Sequence, residues 1–164
     1  VSPVLALYGG LYHWFPSVTG RMLDDRLGTI HFWITFIGTY LIYFPMHYIG
    51  FLGVPRRYYS NEQYDFIPQS VADLNQFITI CALIVGASQF ILLYNFVNSA
   101  IRGKKASKNP WGACTLEWQT LESPPGHGNW GDQLPVVYRW PYDYGLPGAT
   151  ADFVPQNVPD EQIT

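Results

Sequence analysis

Three long hydrophobic stretches dominate the N-terminal part of the chain. Residues 1–20, 27–55 and 74–101 contain no Lys, Arg, Asp or Glu. The second and third stretches each exceed the roughly 20 residues that an α-helix needs to cross a bilayer. A helix packed on a soluble core would also carry a charged face, and these stretches have none. The pattern therefore predicts helices that are surrounded by lipid or by neighbouring protein.

Turn-forming and charged residues divide the chain into segments. The first helix is expected to run from Val4 to Phe15 and to end at the Pro16–Gly20 turn. Ser70-Val71-Ala72-Asp73 has the form of a capping box and opens the third helix. We predict a partial transmembrane helix over 1–16, a loop over 17–26, a transmembrane helix over 27–51, a loop over 52–69, a transmembrane helix over 70–101 and a tail over 102–164.

The first segment, about 16 residues long, is too short for a complete crossing. We therefore expect the chain to begin inside a helix, as a fragment or as one half of a split subunit. Pro45 lies inside the second helix, where it predicts a kink. The expected fold is an all-α membrane protein with one partial and two complete transmembrane helices.

The tail is rich in proline and aromatic residues, with prolines at Pro124-Pro125, Leu134-Pro135, Trp140-Pro141 and Leu146-Pro147. Proline at this density does not sustain helices. The many aromatic residues argue against disorder, because disordered chains contain few of them. We expect an extended strap that lies on partner surfaces. Residues 136–144 are interpreted either as a docking strap or as an ordered end without a function.

The charges predict the orientation of the chain. Arg102, Lys104, Lys105 and Lys108 follow the third stretch at once, and the positive-inside rule places that end in the cytoplasm. The loop over 17–26 then also faces the cytoplasm, and the loop over 52–69 faces the outer side. The formal net charge of -3 argues against a nucleic-acid partner. Cys81 and Cys114 form no CxxC motif and are expected to be free thiols.

The second helix carries two stripes of residues at a spacing of four. One is polar and one is aromatic: His31, Thr35, Thr39, Tyr43 and His47, beside Phe32, Phe36, Tyr40, Phe44 and Tyr48. The polar stripe should face protein or a cofactor, because polar groups that face lipid are costly. Two interpretations stay open, hydrogen bonds between helices and a cofactor pocket with aromatic walls. His13, His31 and His47 share no i, i+4 spacing, which favours structural or interfacial histidines over metal ligands.

Arg56 and Arg57 are the most unusual feature of the outer loop. Two adjacent guanidinium groups on the outer side are unusual, because Lys and Arg are normally in excess in the cytoplasmic loops of membrane proteins. Glu62 and Asp65 would neutralise them in ordinary loop salt bridges. The alternative is a bound ligand with carboxylates, which arginine recognises through paired hydrogen bonds.

Several runs of residues carry a family resemblance: His31-Phe32-Trp33, Phe36-Ile37-Gly38, Phe44-Pro45-Met46-His47 and Leu52-Gly53-Val54-Pro55-Arg56-Arg57-Tyr58. They resemble the penultimate helix and the following loop of subunit I of the haem-copper respiratory oxidases, of bacterial cytochrome c oxidase type. Upstream, the run from Gly9 to Pro16 and the pair Leu23-Asp24 resemble the preceding helix and turn. Downstream, Asn109-Pro110-Trp111, Thr115-Leu116-Glu117-Trp118 and Ser123-Pro124-Pro125 are similar to the tail of the bacterial branch. The resemblance is weakest after about Trp130.

This resemblance implies that Arg56 and Arg57 bind haem propionates. It implies two haems, expected to be a-type, and copper in the assembled subunit. Their ligands lie in parts of the family that do not map onto this chain, so no residue is assigned as a metal ligand or as catalytic. The implied function is to complete the haem-bearing subunit of a proton-pumping terminal oxidase, which reduces oxygen to water with electrons from cytochrome c. The implied partners are the rest of subunit I, subunit II and, through it, cytochrome c, in a bacterial plasma membrane.

Two alternatives stay open. A quinol-oxidising member of the same family would share the loop and tail motifs. A non-catalytic structural subunit of a membrane complex would explain the hydrophobic helices, but it leaves Arg56, Arg57 and the polar stripe unexplained.

Overall fold

The computed structural model describes residues 2–55, 57, 59, 65–120, 129–132, 134–143, 145, 147–149 and 151–162. Three α-helices account for most of them: α1 at Ser2–Thr19, α2 at Asp25–Phe51 and α3 at Ser70–Arg102. Two 3₁₀ turns follow at Leu116–Trp118 and Asp160–Gln162. The β-pairing that joins two described residues is an isolated bridge between Arg21 and Lys105. The all-α prediction is confirmed.

Helices α2 and α3 are the two complete spans that the sequence predicts. Both are long and apolar enough to cross a membrane. Only 17% of the most hydrophobic 18-residue stretch of each helix is buried. A helix in the core of a soluble protein would bury most of such a stretch. These two helices instead leave most of their apolar surface exposed. α2 begins at Asp25, two residues earlier than expected, because the Asp24 side chain accepts hydrogen bonds from the N–H groups of Arg26 and Leu27.

The end predicted for α1 at Pro16 is wrong, because the helix continues through Pro16 to Thr19. A proline removes one hydrogen bond to the preceding turn but leaves its own carbonyl free to accept. The N–H of Gly20 donates to that carbonyl at 2.9 Å, and Gly20 adopts a φ of 68°. A glycine in this left-handed conformation ends a helix, so Gly20 and not Pro16 sets the boundary.

The chain forms two compact units, of which the first comprises Asp24–Asn98. In this unit α2 and the larger part of α3 form an antiparallel hairpin. At one end the fully buried Asn95 accepts from the Asp24 N–H and donates to the Asp24 carbonyl, both at 3.0 Å. At the other end Ile49, Val71 and Ile78 form an apolar cluster.

The second unit contains α1 with the residues up to Leu23, together with Ser99–Thr164. Its described tail is more compact than the extended strap that we expected, although it forms no helix longer than three residues in the ranges described. Gln156 explains the difference. Its backbone pairs with Cys114 and Tyr138, and its side chain accepts from the Leu116 N–H and donates to the Arg139 carbonyl. One buried glutamine thus ties three separate tail segments together.

Candidate functional site

The loop that carries the arginine pair begins where α2 ends. The N–H groups of Leu52, Gly53 and Val54 donate to carbonyls of the last helical turn, and Gly53 has a φ of 85°. An alanine at Gly53 would be strained in this backbone conformation. The chain therefore leaves the helix at a fixed position, four residues before Arg57.

Apolar contacts hold both sides of this loop. Leu52 and Val54 on one side and Ile67 on the other pack against the cluster of Ile49, Val71 and Ile78. The loop is thus attached to both helices of the hairpin. It presents Arg57 on the surface while its apolar neighbours stay partly buried.

Arg57 is exposed and has a φ of 60°, whereas Arg56 lies outside the described residues. A positive φ is uncommon for a residue other than glycine, and it costs free energy. Such backbone strain is found repeatedly at binding sites, where the surrounding structure maintains it. The strained backbone makes Arg57 a candidate binding residue.

The charge of Arg57 is not neutralised by the acids that the structure describes. The acid–base side-chain pairs in the described part of the chain join His13 to Glu117 and Arg139 to Asp160. Asp65 is exposed and belongs to neither pair. Glu62, the other acid expected to compensate the arginines, lies outside the described residues. The guanidinium of Arg57 is therefore available to an anionic ligand as far as the described acids are concerned.

The polar stripe of α2 divides into two halves. His31, which is 1% exposed, donates from Nε2 to the Gln89 side-chain oxygen at 3.2 Å. The Gln89 amide donates to the Thr35 hydroxyl at 3.4 Å, and the Thr35 and Ser88 hydroxyls lie 3.5 Å apart. Hydrogen bonding between helices is thus confirmed for this half of the stripe. Gln89 and Ser88 were not among the predicted positions, although both are polar residues inside an uncharged stretch.

The other half of the stripe is exposed in this chain. Tyr43 and His47 both lie on the surface, and His47 donates from Nδ1 to the Tyr43 carbonyl at 2.7 Å. The change follows from helix geometry, because each step of four residues rotates by about 40° around the axis. The stripe therefore turns away from α3 along its length.

The aromatic stripe forms a continuous series of ring contacts at one end and an open surface at the other. Phe32 stacks on Phe36 at 5.5 Å, and Phe36 meets Tyr40 edge-to-face at 5.2 Å. Farther along, Phe44 is 76% exposed and Tyr48 is also on the surface. These last two rings lie in the final two turns of α2, before the arginine loop begins. They offer flat apolar surface to a partner or a ligand.

His13 lies in a cluster of tryptophans in the second unit. Its ring stacks on Trp111 at 5.7 Å and meets Trp118 edge-to-face at 5.2 Å, and its Nε2 lies 3.7 Å from the Glu117 carboxylate. Trp14 donates from Nε1 to the same carboxylate at 3.3 Å. The described residues contain no group of three His, Cys, Asp or Glu able to hold a metal ion. The cluster instead joins three of the segments that carry the family resemblance: Gly9 to Pro16, Asn109 to Trp111 and Thr115 to Trp118.

The two cysteines are free, as expected. Burial raises the pKa of the Cys114 thiol above its ordinary 9.0, while the charge of Arg139 and a hydrogen bond to the Val154 backbone act in the opposite direction. The thiol is therefore neutral at physiological pH. A buried neutral thiol is a packing group and not a nucleophile.

Comparison with known proteins shows the family of the chain. Residues 2–107 match the family described as Cytochrome C and Quinol oxidase polypeptide I. The alternative cytochrome c oxidase subunit 1 of Bradyrhizobium diazoefficiens is 60% identical over 97% of this chain and 27% of its own length. The cytochrome c oxidase subunit 1 of Thermostichus vulcanus is 48% identical over 87% of this chain and 24% of its own length.

A more distant relative is the heme-copper oxidase subunit I+III of Aeropyrum pernix, which is 41% identical over 82% of this chain and 16% of its own length. The chain thus spans about a quarter or less of the length of these relatives. The family match extends over both spans and over the loop between them. The chain therefore belongs to the cytochrome c and quinol oxidase polypeptide I family, of which it represents a membrane portion with helical spans.

Proposed function

We propose that this chain is the C-terminal portion of the catalytic, haem-bearing subunit of a proton-pumping terminal oxidase. The assembled enzyme would reduce oxygen to water with electrons from cytochrome c. The observation that carries the proposal is Arg57, an exposed and strained cation that has no acidic partner among the described residues, in a chain of this family. Relatives named cytochrome c oxidase favour cytochrome c over quinol as the donor.

The residues on the outer loop fit the chemistry of a haem. A haem combines a flat apolar ring with two carboxylates, and Arg57 with the exposed rings of Phe44 and Tyr48 offers a cation and aromatic surface on one end of α2. Arg57 would hold a propionate through paired charge-assisted hydrogen bonds. Arg56 takes the same role by the family resemblance. The haems, expected to be a-type, and the copper supply the electron transfer and oxygen chemistry when bound.

The remaining residues would support this role. The apolar cluster of Ile49, Val71 and Ile78 would fix the loop, and the hydrogen bonds of His31 with Gln89 would fix the register of the two helices. We further propose that the loop faces the outer side of a bacterial plasma membrane and that the tail faces the cytoplasm. The partners would be the rest of subunit I and subunit II, which receives electrons from cytochrome c.

The proposal is tested by Arg57→Gln in the assembled oxidase. A cation beside a haem stabilises the reduced state, because reduction adds a negative charge. Loss of the cation should lower the haem reduction potential by on the order of tens of millivolts and slow turnover. Arg57→Lys keeps the charge and should restore most of the potential. Redox titration of the haem absorbance bands measures both variants.

Arg26→Gln is the matched control, because Arg26 is an exposed cation at the opposite end of α2. It should leave the potential unchanged. If Arg57→Gln and Arg56→Gln both preserved the spectrum, the potential and the turnover of the parent enzyme, propionate binding by this loop would be excluded. If they impaired only assembly of the complex, the chain would be a structural element without a role at the haem.

A further inference from the structure

Five cations lie in the second unit, close to the end of α3 or paired with the segment that follows it. Residues 20–23 and 99–108 contain no Asp or Glu, but they contain Arg21, Arg102, Lys104, Lys105 and Lys108, which we name the basic patch. The four cations after Ile101 are exposed, and Arg21 is partly so. Neither of the acid–base side-chain pairs in the described part of the chain includes any of the five.

The backbone brings two of these charges together. The Met22 N–H donates to the Lys104 carbonyl at 2.8 Å, and the Ala106 N–H donates to the Gly20 carbonyl at 2.9 Å. Arg21 and Lys105 are thereby directly opposite each other in an antiparallel bridge. Arg21 and Lys105 form a non-hydrogen-bonded antiparallel pair. In this type of pair the two side chains lie closer together than in a hydrogen-bonded pair. Like charges in this position destabilise the pairing.

Close packing around Gly103 prevents this pairing from relaxing easily. A Cβ atom at Gly103 would overlap the Ser99 carbonyl oxygen and would lie 2.8 Å from the Met22 carbonyl oxygen. Arg21 also donates from Nη1 to the Gly103 carbonyl at 2.6 Å. The two cations are thus placed by packed backbone and not by a flexible chain end. An anion between them would remove the repulsion.

We propose that the basic patch binds the phosphate of an anionic phospholipid at the membrane surface. The patch follows directly on a helix that is long enough to span a bilayer. Clusters of four or more cations at such a position attract anionic headgroups. Trp14 and Trp111, both about half exposed, belong to the same unit, and tryptophan concentrates at the level of lipid headgroups. This inference rests on the membrane location of the chain and is independent of the oxidase activity.

The test measures lipid retention by the intact complex. The purified complex in detergent is incubated with phosphatidylglycerol or with phosphatidylcholine, and native mass spectrometry counts the bound lipids. Lys105→Gln should lower the retention of phosphatidylglycerol at this site about fivefold, as expected for one cation near a lipid surface. Lys105→Arg should retain the parent value. Retention of phosphatidylcholine should be the same in all variants.

Arg26→Gln is the matched control, since it removes one exposed cation that follows Asp24 and Asp25 and lies outside the basic patch. It should retain phosphatidylglycerol like the parent protein. The double variant Lys104→Gln with Lys105→Gln removes two exposed charges without touching the Gly103 packing, so it tests binding without depending on Arg21. Parent-like retention in this double variant would overturn the proposal. Displacement of the lipid by inorganic phosphate at an equal concentration would also overturn it, because the ligand would then be free phosphate.

Discussion

The α2–α3 hairpin and the tail unit both bury polar groups, but in different surroundings. The hairpin leaves most of its apolar residues exposed, and its buried polar contacts are few and lie between helices. The described tail buries Arg139 and Gln156 among loops that have little regular structure. In lipid, exposed apolar surface costs nothing and polar contacts only adjust helix packing. In loops, side chains must satisfy the backbone groups that a helix would satisfy by itself.

Gln156→Leu should cause the largest loss of stability, because Gln156 bonds to two other segments of the tail. Leucine is similar in size but cannot bond the Leu116 N–H or the Arg139 carbonyl. Two largely buried backbone groups would lose their partners, at a cost of about 2–4 kcal/mol in the free energy of unfolding of this unit. Amide hydrogen exchange of residues 114–120 and 134–143 in the assembled complex measures the change.

Gln162→Leu is the matched control for this experiment. It makes the same substitution at an exposed residue of the last 3₁₀ turn. Exchange in the tail should stay at the parent rate. Equal protection in both variants would mean that the tail segments are held together by something other than Gln156.

Gly38→Ala should be the most damaging small change in the hairpin. A Cβ atom at this position would overlap the Val85 side chain of α3. Small residues allow membrane helices to approach closely, and overfilling such a contact costs about 1–3 kcal/mol. The thermal midpoint of the detergent-solubilised complex should fall. Val85→Ala in the same chain should recover a large part of the loss.

Gly50→Ala is the control that distinguishes a clash with Val85 from a general effect of placing alanine in α2. Gly50 is also on α2, but a Cβ atom there meets nothing within 4 Å. Alanine is the better helix former, so this variant should be neutral or slightly more stable. A loss of stability equal to that of Gly38→Ala would show that the contact with Val85 is not the cause.

The hairpin was predictable from the sequence because charge-free length directly reflects the requirements of a bilayer. The helix end expected from the turn-forming residues was wrong at Pro16, because the boundary depends on Gly20 four residues later. The tail was predictable only in its lack of long helices. Its compactness depends on contacts between Cys114, Tyr138 and Gln156, which are distant in sequence and show no periodic pattern.

The candidate site was predictable to a different degree. The adjacent arginines are visible as an anomaly of charge, and the described part of the loop adds the strained backbone of Arg57. The polar stripe was visible on α2, but its partners Gln89 and Ser88 were not, since pairing across helices needs the register of the hairpin. That register depends on Gly38 and Asn95, whose roles appear only in three dimensions.

Gln89→Leu completes the comparison of the hairpin with the tail. It replaces a glutamine of the hairpin by leucine, as Gln156→Leu does in the tail. Between the helices the variant loses the bond from His31 and the bond to Thr35. Within α3 it also loses the bonds to the Val85 carbonyl and to the Ser88 hydroxyl. Hydrogen bonds between membrane helices contribute about 0.6 kcal/mol on average, since the separated helices find other partners. The thermal midpoint should therefore fall less than for Gly38→Ala. The loss of stability should also be smaller than for Gln156→Leu, although each change removes two side-chain bonds to another segment of its unit. A cost for Gln89→Leu equal to or above that of Gln156→Leu would mean that the hairpin depends on its polar contacts as strongly as the tail does.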